Sequence, residues 1–104
     1  MNDLHNKVAA IANDHINGAA YLTLQSLELI KELANAYNAA GGEWIDSAIA
    51  GGEQARSTAI NRMVGNNAPT AAQFNTSKQF FDLIEGDMLN NVDDVAAKGN
   101  WDSV

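Results

Sequence analysis

The sequence of 104 residues contains no cysteine, which excludes disulfide bonds, thiolate zinc sites and cysteine nucleophiles. A fold that needs no disulfide suits a reducing compartment, so we expect a cytoplasmic location. Basic residues are also few, with 6 Lys and Arg against 13 Asp and Glu, and the net charge is -7. A field of this sign repels phosphate backbones and anionic lipid headgroups. We therefore expect no nucleic-acid partner and no binding to anionic membranes.

Long apolar runs are missing as well. No stretch reaches the roughly 18 apolar residues of a membrane span, and Met1 to Asn13 lacks the apolar core of a signal peptide. We therefore expect neither a membrane span nor a Sec signal. With 46% hydrophobic and 18% charged residues, the chain has the composition of a folded protein. Its length predicts one domain, which we place at residues 1–99, with a C-terminal tail at 100–104.

The residues that are present favour helices. Eighteen alanines and a single proline occur among scattered β-branched residues, and no useful strand alternation appears. We predict an all-α fold of three amphipathic helices at residues 3–40, 43–64 and 69–98, packed as a bundle or as an extended coiled-coil-like assembly. Residues that are mostly apolar recur at spacings of three and four along one face of the first helix. They are Leu4, Val8, Ile11, His15, Gly18, Leu22, Leu29 and Leu33.

Glycine and proline mark the predicted boundaries. Gly41 and Gly42 indicate a break or bend after the first helix, and Gly51 and Gly52 interrupt the second, which we expect to be the least stable. We predict that the third helix begins at about residue 69 or 70, either with Pro69 in its first turn or with Thr70 and Gln73 as a capping box. That helix carries all three phenylalanines and ends in Lys98 followed by a glycine cap at Gly99. A second apolar face beside the first, including Ile16, Leu27 and Ile30, makes the apolar arc of the first helix wide.

The sequence contains no constellation typical of catalysis. His5 and His15 stand ten residues apart on the predicted first helix, about 15 Å along its axis, so they cannot share a metal ion. Asp82, Glu85 and Asp87 fit a solvated helix face better than a calcium loop. We therefore predict no catalytic, cofactor-binding or metal-binding residue, and we interpret the chain as a non-enzymatic protein that acts through contact.

Two segments resemble the phasins, which are small proteins that coat polyhydroxyalkanoate granules. The leucine spacing with interleaved Glu and Lys from Leu24 to Leu33 is similar to the first core helix of that family. The segment Asn67 to Phe74, with Pro69 inside it, resembles the short link before the last long helix, and the likeness covers about 75 residues in all. The resemblance implies a cytoplasmic, granule-associated helical protein that spreads an apolar face over polyester and has no catalytic residues.

We assign this face to apolar residues of the first and third predicted helices. The predicted interaction surface consists of Leu22, Leu29, Leu33, Phe74, Phe81, Ile84 and Met88. A first helix of about 37 residues would be about 55 Å long, more than the other two can cover, so we expect a dimer or a tetramer.

Another class of protein fits part of the sequence. Small secreted acidic helical hairpins of about this length carry a Trp-x-Gly turn near the chain centre, where Gly41, Gly42, Glu43 and Trp44 stand here. The residue two positions after Trp44 is Asp46 rather than glycine. Such a protein would act through protein–protein contacts, and a small regulatory or phage-type helical protein is a further alternative.

Overall fold

A computed structural model describes residues 2–36, 42–65, 87–99 and 101. These residues form five helices and no strand, so the predicted all-α class is confirmed and the predicted number of three helices is wrong. The helices are α1 (Asn2–Ala12), α2 (Ala19–Ala36), α3 (Gly42–Ala50), α4 (Glu53–Gly65) and α5 (Asp87–Ala97).

Helix α2 is the centre of the fold. It contacts each of the other four helices, while α1 also packs on α5, and α4 packs on both α3 and α5. Its apolar side chains are buried on several sides, which explains the wide apolar arc in the sequence: different parts of it face different helices of the same chain. The core consists of Leu4, Ile11, Ala19, Leu22, Leu27, Leu29, Ile30, Leu33, Ile45, Ala48, Ala59, Ile60, Met88, Leu89, Val92 and Val95.

The predicted first helix is divided by a loop at residues 13–18. Asp14 has a carboxylate that accepts hydrogen bonds from the backbone N–H groups of Ile16 and Asn17, both at 3.0 Å. Such side-chain bonds offer the backbone an alternative to continued helix. Helix α2 then begins with the bond from Leu22 N–H to the carbonyl of Gly18. The predicted helix of about 55 Å therefore does not form. The expectation of a dimer or a tetramer was based on that length, so it no longer has that support.

The predicted second helix is divided as well. Gly51 still donates its N–H to Ser47, but Gly52 has a φ of 91°, in the left-handed region that glycine adopts without strain. Arg56 fixes the corner because its Nε and Nη2 donate to the carbonyl of Ile49 at 2.9 and 2.8 Å. The two glycines are thus a turn between α3 and α4 rather than a weak point inside one helix.

The predicted third helix ends one residue before Lys98, and the glycine predicted to cap it has the expected conformation. Helix α5 ends at Ala97, and Gly99 has a φ of 76°, so the predicted glycine cap is confirmed. Trp101, in the predicted tail, is partly buried and packs against the core. The predicted start at Pro69 and the segment up to residue 86 lie outside the described residues.

Candidate contact surface

The predicted interaction surface is divided between the core and the part of the chain that is not described. Leu22, Leu29, Leu33 and Met88 are all buried within the chain. None of these four side chains reaches a partner while the helices stay packed. The remaining members lie outside the described residues, and they are Phe74, Phe81 and Ile84.

Two large apolar side chains are exposed instead. Ile16 is 89% exposed and Tyr21 is 37% exposed. Among the residues that the structure describes, these two are the exposed large hydrophobic ones. Ile16 lies in the loop at residues 13–18, and Tyr21 lies in the first turns of α2. Apolar spacing predicts Ile16 on the second apolar face of a continuous helix, and that placement is wrong because residues 13–18 form a loop. The dipeptide Asn17-Gly18, which is typical of turns, is the signal that could have located this loop.

The loop at residues 13–18, called here the Ile16 loop, is held by hydrogen bonds on both sides. Asp14 accepts the Asn17 side-chain amide at 2.7 Å in addition to the two backbone bonds. The Asn17 side chain, followed by the Asn17 backbone N–H, holds the pKa of Asp14 below its usual value. Asn13 donates its side-chain amide to the carbonyl of Ala9 at 2.9 Å. These bonds fix the backbone on which Ile16 is presented to solvent.

A contact from α5 secures the base of the same loop. Asn91, which is only 8% exposed, donates its Nδ2 to the carbonyls of Ile11 at 2.8 Å and Asp14 at 2.9 Å. The Ile11 carbonyl, in the last turn of α1, also accepts the Asp14 backbone N–H at 3.3 Å, so the Asn91 amide adds a second bond there and a bond to the loop carbonyl of Asp14. This contact ties the position of the Ile16 loop to the packing of α5.

A groove of about 300 Å³ runs between α1 and α2 beside the loop. Lys7 crosses it, with its Nζ 3.0 Å from Oε1 and 3.1 Å from Oε2 of Glu32. Asp14 and Glu28 also line the groove, so it carries three carboxylates and one ammonium group. Its other lining residues are Ala10, Ile11, Tyr21, Gln25 and Leu29. This set of side chains can form contacts and ion pairs, but it does not pair a nucleophile with a base.

The described residues supply no group of three or more His, Asp or Glu side chains that could hold a metal ion. His5 on α1 and His15 in the Ile16 loop are both exposed. Within the described ranges, no helix has the length and hydropathy needed to cross a membrane. Trp44 lies in the first turn of α3 and is half-buried against the core. Because Gly42 to Trp44 are helical, they do not form the turn of a helical hairpin.

Comparisons with protein-family models, with curated proteins and with solved structures found no match to this chain.

Proposed function

We propose that this chain is a non-catalytic, phasin-like protein that coats polyhydroxyalkanoate granules in the cytoplasm. The proposal is supported by the resemblance of two sequence segments and by the all-α fold. The observation that carries it is the position of Ile16, which is 89% exposed on a loop fixed by hydrogen bonds. An exposed β-branched side chain on a fixed backbone can enter an apolar surface at little cost in conformational entropy.

Ile16 serves as the first point of contact and not as the whole attachment. Burying one such side chain contributes roughly 1.5 to 3 kcal/mol, which corresponds to weak binding. A stable coat needs more apolar area, and the chain holds that area in its core. The apolar faces of α2 and α5 supply this area when they turn to the polymer, and they include Leu22, Leu29, Leu33 and Met88.

The exchange of core contacts for surface contacts is energetically possible. Four buried side chains of this size contribute about 6 to 12 kcal/mol together, which is comparable to the whole unfolding free energy of about 5 to 15 kcal/mol for a small domain. No disulfide holds the helices together. Helices that separate on an apolar surface keep their backbone hydrogen bonds and bury the same faces against polymer.

In the attached state the helices lie side by side on the polymer as an extended coiled-coil-like layer. Neighbouring chains then contact one another as dimers or tetramers, because helices that have left the compact fold keep apolar side chains at the edges of the faces that lie on the polymer, and a second chain covers them. The free protein keeps the packing of the five helices that the described residues form. Sedimentation equilibrium of the free protein, compared with cross-linking on the polymer, separates the two states: oligomers are expected after attachment.

The test uses polyhydroxyalkanoate particles with hydrophilic silica of the same size as the reference surface. Ile16→Glu should reduce the initial attachment rate to the polymer at least fivefold. His15→Glu is the matched control, because it adds a charge to the neighbouring exposed position and leaves the isoleucine in place. Tryptophan fluorescence should change after attachment, since Trp44 and Trp101 pack against the core that opens.

Three outcomes would reject the proposal. The first is attachment to silica as strong as attachment to the polymer. The second is an Ile16→Glu variant that attaches as fast as His15→Glu. The third is attachment without any change in tryptophan fluorescence or in near-ultraviolet circular dichroism, because the core would then have stayed closed.

A further inference from the structure

Two cavities near the C-terminus of the described chain share Glu53 and Trp101 as walls. The larger has a volume of about 480 Å³ and is open to solvent, and the smaller has about 70 Å³. A volume of roughly 300 to 1,000 Å³ is usual for small-molecule sites. The larger cavity is lined by Glu53, Gln54, Ser57, Thr58 and Trp101. The smaller is lined by Ala20, Thr23, Glu53, Arg56 and Trp101.

The smaller cavity contains a polar group without a partner. Thr23 is 1% exposed, and its Oγ1 makes no hydrogen bond with any residue that the structure describes. A buried hydroxyl in this state is unfavourable, and in native proteins it usually has a partner. Thr23 lines the cavity, but its Oγ1 is almost wholly buried, so a polar atom of a bound molecule supplies the missing hydrogen bond only after a small shift of the surrounding side chains.

The side chains that line the two cavities determine which class of ligand can bind there. Glu53 supplies only acceptors, while Gln54, Ser57, Thr58 and Thr23 can each donate and accept. Trp101 adds an apolar ring beside these groups. A ligand that satisfies such a set must carry several hydroxyl groups and also an apolar face, and a pyranose ring has both.

Charge at the two cavities disfavours ionic ligands. Glu53 would attract an organic cation, but Arg56 lines the smaller cavity and would repel it. An anion would be attracted by Arg56 but repelled by Glu53. The Arg56 guanidinium is held in place by the carbonyl of Ile49, so it does not swing away to admit a cation. A neutral ligand experiences neither repulsion.

We propose that the two cavities form one binding site for a neutral polyhydroxylated ring, namely a monosaccharide or the terminal unit of an oligosaccharide. The ring lies against the indole of Trp101, and its hydroxyl groups bond to Glu53 and to the hydroxyls of Ser57 and Thr58. One hydroxyl reaches Thr23. This site lies apart from the Ile16 loop, and its test does not depend on attachment to polymer.

Binding is measured on the full chain with glucose, galactose, mannose and N-acetylglucosamine as probes, and with tetramethylammonium and inorganic phosphate as charged probes. Trp44→Phe leaves Trp101 as the single tryptophan, whose fluorescence is excited selectively over that of the two tyrosines, and saturation-transfer NMR on the unaltered chain detects binding without any substitution. We expect a saturable response to at least one sugar and none to the charged probes. Glu53→Gln should weaken sugar binding at least tenfold. Glu43→Gln is the matched control, since Glu43 is also an exposed acid in the first turn of its helix.

Thr23→Val distinguishes a binding role from a structural one. The methyl group replaces the unpaired hydroxyl at nearly the same volume, so the melting temperature of the free protein should rise or stay the same. Sugar binding should nevertheless weaken. The proposal is overturned if no sugar gives a saturable response by either method, if tetramethylammonium or phosphate binds instead, or if Glu43→Gln weakens binding as much as Glu53→Gln. Sugar binding unchanged in Thr23→Val, in a variant that keeps its helicity, would remove Thr23 from the site.

Discussion

The side-chain amide of Asn91 provides the sharpest test of how the Ile16 loop is held. Its Nδ2 donates to the carbonyls of Ile11 and Asp14 at 2.8 and 2.9 Å from a position that is only 8% exposed. Asn91→Asp keeps the shape of the side chain but replaces the donor by an oxygen. Two hydrogen bonds of about 1 kcal/mol each are lost, and the lost partner of the Asp14 carbonyl costs about 1 to 3 kcal/mol more, while the Ile11 carbonyl keeps the Asp14 N–H at 3.3 Å.

We therefore expect Asn91→Asp to lower the unfolding free energy by about 3 to 5 kcal/mol at pH 7, which lowers the melting temperature by about 12 °C or more in a domain of this size. Asn90→Asp is the control, because the neighbouring residue is exposed and the charge change is identical. That variant should stay within about 0.5 kcal/mol of the parent. Urea denaturation followed by circular dichroism measures both.

The deficit of Asn91→Asp should depend on pH in a defined direction. A carboxylate that faces two carbonyl oxygens in a buried place has its pKa raised by folding, because the charged form is disfavoured. The cost of folding is therefore largest above the pKa in the folded state and falls as the acid is protonated, so the difference from Asn90→Asp should shrink between pH 7 and pH 5. Equal stabilities of the two variants at pH 7 would refute the idea that this amide holds the loop.

Three further predictions concern single positions. Hydrogen bonds from Asn17 lower the pKa of Asp14, so its contribution to stability is present above the usual pKa of an aspartate and is lost as pH falls below about 4. The unfolding free energy of Asp14→Ala should therefore fall less than that of the parent when both are titrated with acid. Gly52→Ala places a side chain at a φ of 91° and should lower the unfolding free energy by about 1 to 2 kcal/mol in urea denaturation. His5→Ala and His15→Ala should each leave polymer attachment within twofold of the parent in a particle-binding assay, because both histidines are exposed and neither has an apolar side chain.

The helical class was predictable because alanine content and apolar spacing report local preference. Five large apolar residues of the predicted first face are indeed buried, yet they belong to two helices separated by a loop; they are Leu4, Ile11, Leu22, Leu29 and Leu33. The spacing continued across the loop, since Gly18 is buried and fits the same register. Periodicity alone therefore joined two helices that local hydrogen bonding separates.

The loop and the exposed isoleucine were not predictable from apolar spacing. The Ile16 loop depends on the bonds that Asp14 accepts and on the amide of Asn91, which is 80 residues from Ile11. The first signal is local, and the sequence contains it as an Asp followed three residues later by Asn-Gly. The second arises only when α5 packs on α1, so no local pattern contains it.

Whether an apolar face is core or contact surface cannot be read from spacing, because both uses require the same residues. Leu33 belongs to the predicted interaction surface and is fully buried on α2. Leu33→Glu should abolish cooperative unfolding of the free protein, because a charge placed in the core costs more than about 4 kcal/mol. Asn35→Glu adds the same charge to an exposed position of the same helix and should leave the transition within about 0.5 kcal/mol.

The two variants also test the proposed attachment. If the face of α2 is used twice, first as core and then against polymer, Leu33→Glu loses both the cooperative transition and stable particle binding, while Asn35→Glu keeps both. A Leu33→Glu variant that keeps its helicity and melting transition but no longer binds particles would show that Leu33 lies on an outer contact surface, which would contradict the packing of α2. A variant that unfolds in solution and still coats particles as well as the parent would show that α2 is core alone and that attachment relies on other parts of the chain.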